Sequence, residues 1–152
     1  MTVNPTCIIF DIDGTLANCE HRRHWIMHKP KNWPAFNRGM KNDTVYDDIV
    51  WMLRVFYNSG MTILVSTGRS EDDRDVTENW LDTVAGIKGL YSKLYMRPSN
   101  DYRPDNIVKS EILDQMYKDG YNPTIAVDDR DQVVEMFRSR GLRCLQVRPG
   151  DF

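Results

Sequence analysis

The chain has 152 residues, of which 41% are hydrophobic and 28% charged, and its formal net charge is −2. That length is enough for one domain with a real core, and the composition excludes a disordered segment. The near-neutral charge excludes a broad polycationic surface for gripping nucleic acid, though a nucleic-acid end or a nucleotide could still be held by a few local arginines.

The first strong signal in chain order is Cys7–Leu16, CIIFDIDGTL. Cys7, Ile8, Ile9 and Phe10 read as a strand buried on both faces, too short and too β-branched for a helix. Residues two apart on a strand share a side, so Asp11 and Asp13 are expected to converge while Ile12 faces the core. Gly14 permits the sharp turn that follows. Two acids at the C-terminal end of a buried strand occupy the usual place for a site in an open α/β sheet. Like charges this close call for a cation, which suggests a metal site. A plain hairpin turn would explain Asp13-Gly14, but no alternating second strand follows. A calcium loop of the EF-hand type also begins Asp-x-Asp. Here the glycine comes too early, and Arg22 stands where the closing glutamate belongs.

Residues 18–42 break the pattern with an excursion rich in His, Trp, Lys and Arg. Trp25, Ile26, Trp33 and Phe36 suggest short helices with some core of their own. Placed directly after the acidic loop, such a segment would sit over the site as a lid or recognition cap. His21, His24 and His28 fall on one face of an expected helix, just after Cys19. That spacing could bind zinc, but Arg22 and Arg23 add positive charge there and no second cysteine is near. Contact with phosphate or base, or plain solvation, are the other readings.

A helix then opens with Asp43 as its cap, buries Val45, Ile49, Met52, Leu53 and Phe56, and stops at Gly60. Met61–Ser66 is the second strand, ending in Ser66-Thr67-Gly68-Arg69. A hydroxyl, a glycine and a guanidinium at a strand tip make an oxyanion cradle, although such junctions often carry turn formers. A helix is expected near 75–84, with Val76, Trp80 and Leu81 inward, and a strand at Lys93–Met96. A helix from about Asp105 to Asp119 carries Lys109 near its start, where a solvated lysine is not favoured. Thr124–Val127 is a strand ending in a second acid pair, Asp128-Asp129, more than helix capping needs. The last elements are a helix over about Asp131–Arg140, burying Val133, Val134 and Phe137, and a strand at Arg143–Val147. Strands alternating with helices imply right-handed βαβ units and a parallel sheet of about five strands between two helical layers.

No apolar run approaches the ~20 residues needed to span a bilayer. The leading residues MTVNPT lack a signal-peptide pattern, and the three cysteines, Cys7, Cys19 and Cys144, have no CxxC spacing. Cys7 and Cys144 sit in strand-like runs as core thiols. A reducing cytoplasm is therefore the expected location.

The order DIDGT, Thr-Gly-Arg, helical lysine and Asp-Asp resembles the four motifs of the haloacid dehalogenase (HAD) superfamily of phosphohydrolases, over nearly the whole chain. Segments AVDDRDQVVEMFRSRGLRCLQVRPGDF, VTENWLDTVAGI and RPDNIVK are similar, more narrowly, to the 3′-phosphatase domain of bacteriophage polynucleotide kinase/phosphatase. The location would then be the host cytoplasm. The resemblance implies a single phosphatase domain over 1–152, a Rossmann-like fold, and a small helical cap at about 18–42. It implies Asp11 as nucleophile and Asp13 as general acid and base, with Thr67 and Lys109 binding the phosphoryl group. Arg22, Gly68, Arg69 and Asp105 would serve substrate binding, with Asp105 as the acid four residues before Lys109. Mg²⁺ would be held by Asp11, the Asp13 carbonyl and Asp129, with Asp128 reached through water. The insertion is longer and more aromatic than expected of that domain, and the chain contains no GxxxxGK[ST] loop, so kinase activity by that route is not expected.

Three functions follow from these readings. A polynucleotide 3′-phosphatase leads. A nucleotidase or small-molecule phosphatase could use the same core, and a receiver-like phospho-acceptor switch is disfavoured by Asp13, which such a switch does not need. A homo-oligomer is compatible with the sequence, and no protein partner is indicated.

Overall fold

A computed structural model describes residues 6–152. The expectation of no signal peptide concerns the start of the chain, and residues 1–5 lie outside the described part. Among the described residues, no helix is long and apolar enough to cross a membrane.

Five parallel strands form the central sheet: β1 (Cys7–Phe10), β4 (Thr62–Ser70), β5 (Lys93–Arg97), β6 (Pro123–Asp128) and β7 (Arg143–Gln146). Their order is β5-β4-β1-β6-β7, with every pairing parallel. Beside them lies an antiparallel ribbon of β2 (Ala17–Asn18) and β3 (Thr44–Val45). The helices are α1 (His24–Met27), α2 (Trp33–Arg38), α3 (Asp47–Asn58), α4 (Arg74–Asn79), α5 (Asp105–Lys118) and α6 (Asp131–Ser139). A wider π-helical turn, Trp80–Val84, continues α4.

Alternation along β1 divides the core into two layers. Ile8 and Phe10 pack with Leu53, Val65, Trp80 and Leu81 under α3 and α4. Cys7 and Ile9 pack on the other face with Val108, Leu113, Val134 and Phe137 of α5 and α6. Both faces of the sheet are therefore covered, which is why its strands read as continuous apolar runs. All three cysteines are buried.

Two local expectations change. Asp43 caps no helix: Tyr46 precedes α3, and Thr44–Val45 pairs with Ala17–Asn18 instead. Capping is a local preference, and here a tertiary strand pairing and a set of ion pairs claim the residue. In the insertion, Trp25 and Trp33 remain 43% and 44% exposed, while Ile26, Ala35, Phe36 and Met40 form its buried part. Of the four residues expected to be buried there, Ile26 and Phe36 are buried and the two tryptophans are not.

Candidate active site

The site gathers at the C-terminal ends of β1, β4 and β6, where an open parallel sheet leaves a crevice. Beyond Phe10 the strand stops, and the Asp11 N–H still donates to the Val127 carbonyl at 3.0 Å. The chain then coils around Ile12, whose carbonyl accepts from the N–H groups of Thr15, Leu16 and Ala17. Gly14, at φ 86°, allows this turn and leaves the space that the Asp129 carboxylate occupies.

Because the strand ends at Phe10, the two acids of the first pair do not converge as an extended strand would require. Each carboxylate has its own cations. The Lys109 ammonium donates to Asp11 Oδ1 at 2.8 Å and to Asp128 Oδ2 at 2.7 Å, and the Thr15 hydroxyl donates to Asp11 Oδ2 at 3.0 Å. Asp13 instead faces two guanidiniums. Arg22 Nη2 and Arg69 Nη2 each reach its Oδ1 at 2.7 Å.

Both arginines also grip Asp43. Arg22 donates to it through Nε at 2.8 Å and Nη2 at 2.6 Å, and Arg69 Nη2 reaches Oδ2 at 3.2 Å. His21 Nε2 lies 2.8 Å from the same carboxylate, and Trp80 Nε1 donates to the Asp43 carbonyl at 2.9 Å. The Arg22 guanidinium carbon stands 4.1 Å from the centre of the Phe36 ring. Arg22 is only 1% exposed, so its charge is held by this network rather than by water. Asp43 is the principal residue that sequence reasoning missed. It stands outside every motif, and its one local signal suited a helix cap.

Asp11, Asp128 and Asp129 present carboxylate oxygens within 4.8 Å of one another, all buried. The Asp13 carboxylate is not in that group. Burial, then Asp128, push the Asp11 carboxyl well above its ordinary value despite Lys109. Burial and Asp128 likewise raise Asp129 to about 6. Burial would raise Asp13 too, but Arg69 and Arg22 overcome it and hold it at about 2. Burial opposes the Lys109 charge, yet Asp11 and Asp128 raise its pKa well above the ordinary range. Three crowded acids against one lysine leave negative charge to neutralise, and an all-oxygen donor set suits Mg²⁺.

The cradle residues lie beside this group. The Thr67 hydroxyl accepts from the Arg69 N–H at 3.1 Å and keeps its own proton to donate. Gly68 packs against Asp105, where an added Cβ would come within 2.7 Å of that carboxylate. Asp105 does not ion-pair with Lys109. It pairs with Arg97 and, at 2.8 Å, with Arg130. Its carboxylate is thus neutralised by two guanidiniums.

The histidines do not share a helix face. His21 lies in a tight turn, His24 begins α1 against the Trp25 ring, and His28 follows that helix. Among the described residues, Asp11, Asp128 and Asp129 form the one group suited to a metal, so the zinc alternative finds no set of ligands.

Comparison with known proteins points to one family. The family model for the phosphatase domain of polynucleotide kinase PNKP matches residues 5–152. A "Putative bifunctional polynucleotide kinase/RNA ligase" of Autographa californica nuclear polyhedrosis virus is 28% identical over 135 residues, spanning 88% of this chain and 18% of that protein. A chain of a Pnkp1/Rnl/Hen1 complex superposes with a TM-score of 0.80 at 32% identity, covering 100% of this chain and 49% of its own. A chain of the Pnkp1/Rnl/Hen1 RNA repair complex gives 0.78 and 31%, over 97% of this chain and 44% of that one. This chain thus spans about half the length of those solved chains, and less of the viral relative. A haloacid dehalogenase-like hydrolase of Streptococcus pneumoniae, 14% identical with a TM-score of 0.65, shares the fold.

Proposed function

The chain belongs to the phosphatase-domain family of polynucleotide kinase PNKP, an HAD-type phosphatase family, and from that premise we propose that it removes 3′-phosphates from polynucleotide ends in a Mg²⁺-dependent reaction. The observation that carries the reading is the division of labour between the two first acids. Asp11 sits in the metal-ready group beside Lys109, while Asp13 faces the two arginines.

Asp11 is the nucleophile. Its free lone pair attacks phosphorus, the bond to the leaving oxygen breaks, and an aspartyl-phosphate forms. Lys109 holds Asp11 in place and, with the Thr67 hydroxyl, donates to the phosphoryl oxygens. Asp13 gives its proton to the departing alkoxide. It then takes a proton from water as the resulting hydroxyl attacks phosphorus and Asp11 leaves as a carboxylate. At a pKa of about 2 the resting Asp13 is ionised. It takes a proton from solvent as the incoming phosphate dianion draws on the charge of Arg22 and Arg69, and the proton it takes from water in the second step regenerates that acid form for the next turnover. Asp11, Asp129 and the Asp13 main-chain carbonyl would hold Mg²⁺, with Asp128 beside them. When bound, the ion supplies charge neutralisation to a phosphoryl group that would otherwise meet three carboxylates. The 18–42 segment acts as a small cap over the leaving group.

Because one similar solved chain belongs to an RNA repair complex, a 3′-phosphorylated RNA end is the first substrate to test. Phosphate release in Mg²⁺ is measured on 3′-phosphorylated RNA and DNA oligonucleotides, their 5′-phosphorylated counterparts, and 3′- and 5′-mononucleotides. Preference for a 3′-phosphorylated end is expected. Preference for mononucleotides would replace end healing by a nucleotidase activity. Mg²⁺-independent turnover would overturn the metal assignment.

A further inference from the structure

Beside Asp13 lies a cleft that the phosphoryl machinery leaves unfilled. Asp13, Gly14 and Asp129 line its floor, and Arg23, Ile26 and Phe152 line its wall. Those last three continue outward into a hollow of about 280 Å³, completed by Met27, Lys31 and Asp151. Neither space touches Asp11, Thr67 or Lys109. The cleft therefore opens on the side of the acid that serves the leaving oxygen, not on the side of the nucleophile.

Its walls are chemically selective. The Arg23 guanidinium carbon stands 4.6 Å from the centre of the Phe152 ring, and that of Arg130 stands at 5.2 Å. Arg130 also donates to the Phe152 main-chain oxygen while pairing with Asp105, which ties the ring to the start of α5. Ile26 and Met27 add apolar surface. Arg23, already paired with Glu20 at 3.1 Å, and Lys31 line the outer rim together with Asp151. Planar guanidinium and aromatic surfaces recognise a nucleobase, and cations recognise the phosphodiester that follows it. A volume of this size suits one nucleoside rather than a longer stretch of strand.

We propose that this hollow seats the nucleoside bearing the scissile 3′-phosphate, its base packed against the Arg23–Phe152 pair and its next phosphodiester facing Lys31. The assignment rests on the 3′-phosphatase reading and adds the residues that recognise the leaving nucleoside. It is tested by comparing kcat/KM for a 3′-phosphorylated oligonucleotide with that for the same oligonucleotide carrying an abasic terminal sugar. The ratio is expected to fall by about tenfold in Phe152→Ala and in Arg23→Ala, through KM rather than kcat, and to be restored in Phe152→Tyr. A ratio unchanged in both alanine variants overturns the proposal. A second readout is independent of turnover. In Asp11→Asn protein, a terminal 2-aminopurine is expected to be quenched on binding, and the quenching to be lost when Phe152→Ala is added. Equal quenching in the two proteins overturns the proposal. Failure of the 3′-phosphatase reading looks different, because the unsubstituted protein would then release no phosphate from either oligonucleotide, and the fluorescence would still decide the subsite.

Discussion

Asp43 and Asp11 illustrate opposite kinds of buried carboxylate. Asp43 is satisfied by two guanidiniums, so Asp43→Asn leaves Arg22 and Arg69 sharing Asp13 alone. Removing one partner of a buried ionic set costs about 3–5 kcal/mol, a fall of roughly 10 °C in thermal midpoint for a domain of this size. Thermal melting checks this, with loss of phosphatase activity expected alongside. Asp11 is instead crowded by Asp128 in a buried site. Asp11→Asn should abolish turnover, by on the order of 10³-fold or more, while the metal-free protein melts at the same or a higher temperature. Near-normal Mg²⁺-dependent turnover in that variant would remove Asp11 as nucleophile. The sequence marked Asp11 through its motif spacing. It gave no comparable mark to Asp43, whose partners come from the turn before α1 and from the end of β4.

Among the elements, the turn after β1 leaves little room for change. Gly14→Ala combines a positive φ with a Cβ that would run into the Asp129 carboxylate. Strain of this kind costs about 1 kcal/mol or more, and the displaced carboxylate belongs to the metal-ready group. The variant is therefore expected to fold but to lose most of its Mg²⁺-induced rise in thermal midpoint; an undiminished rise would contradict the packing of Gly14 on Asp129. By contrast, Trp51 on α3 is 71% exposed, and Trp51→Ala should change stability by no more than about 0.5 kcal/mol. The helices α3 and α6 were legible because each buries an apolar stripe. The start of α3 was not, since the β2–β3 ribbon joins residues far apart in the chain and leaves no local period to read. The insertion holds short helices as expected, but the one helix that its histidine spacing described is not kept: His21 lies in a separate turn and His28 follows α1.

Across the whole molecule, the site makes stability depend on pH and metal in a definite direction. Asp129 titrates near 6 in the folded protein against an ordinary value of 3.8. The folded state thus binds the extra proton between those limits, and metal-free stability falls as pH rises through that window. Asp13 acts oppositely: its pKa of about 2 contributes stability above its ordinary value of 3.8 that is lost as pH falls towards 2. Melting curves in chelator should therefore peak at mildly acidic pH. Mg²⁺ at about 100 times its Kd should raise the midpoint at pH 7 by roughly 5–10 °C, and by less at pH 5, where protons compete for the carboxylates. An equal rise at both values would place the ion elsewhere. The sequence by itself determined the alternating architecture and the strand tips that carry acids, because burial periodicity and motif spacing are local properties written along the chain. Only the tertiary structure decided which charge neutralises which: Lys109 spans Asp11 and Asp128, Arg22 and Arg69 close on Asp13 and Asp43, and Asp105 turns away to Arg97 and Arg130. Ion pairing depends on distances across a crevice where separate strands end, and those distances exist only once the sheet has assembled.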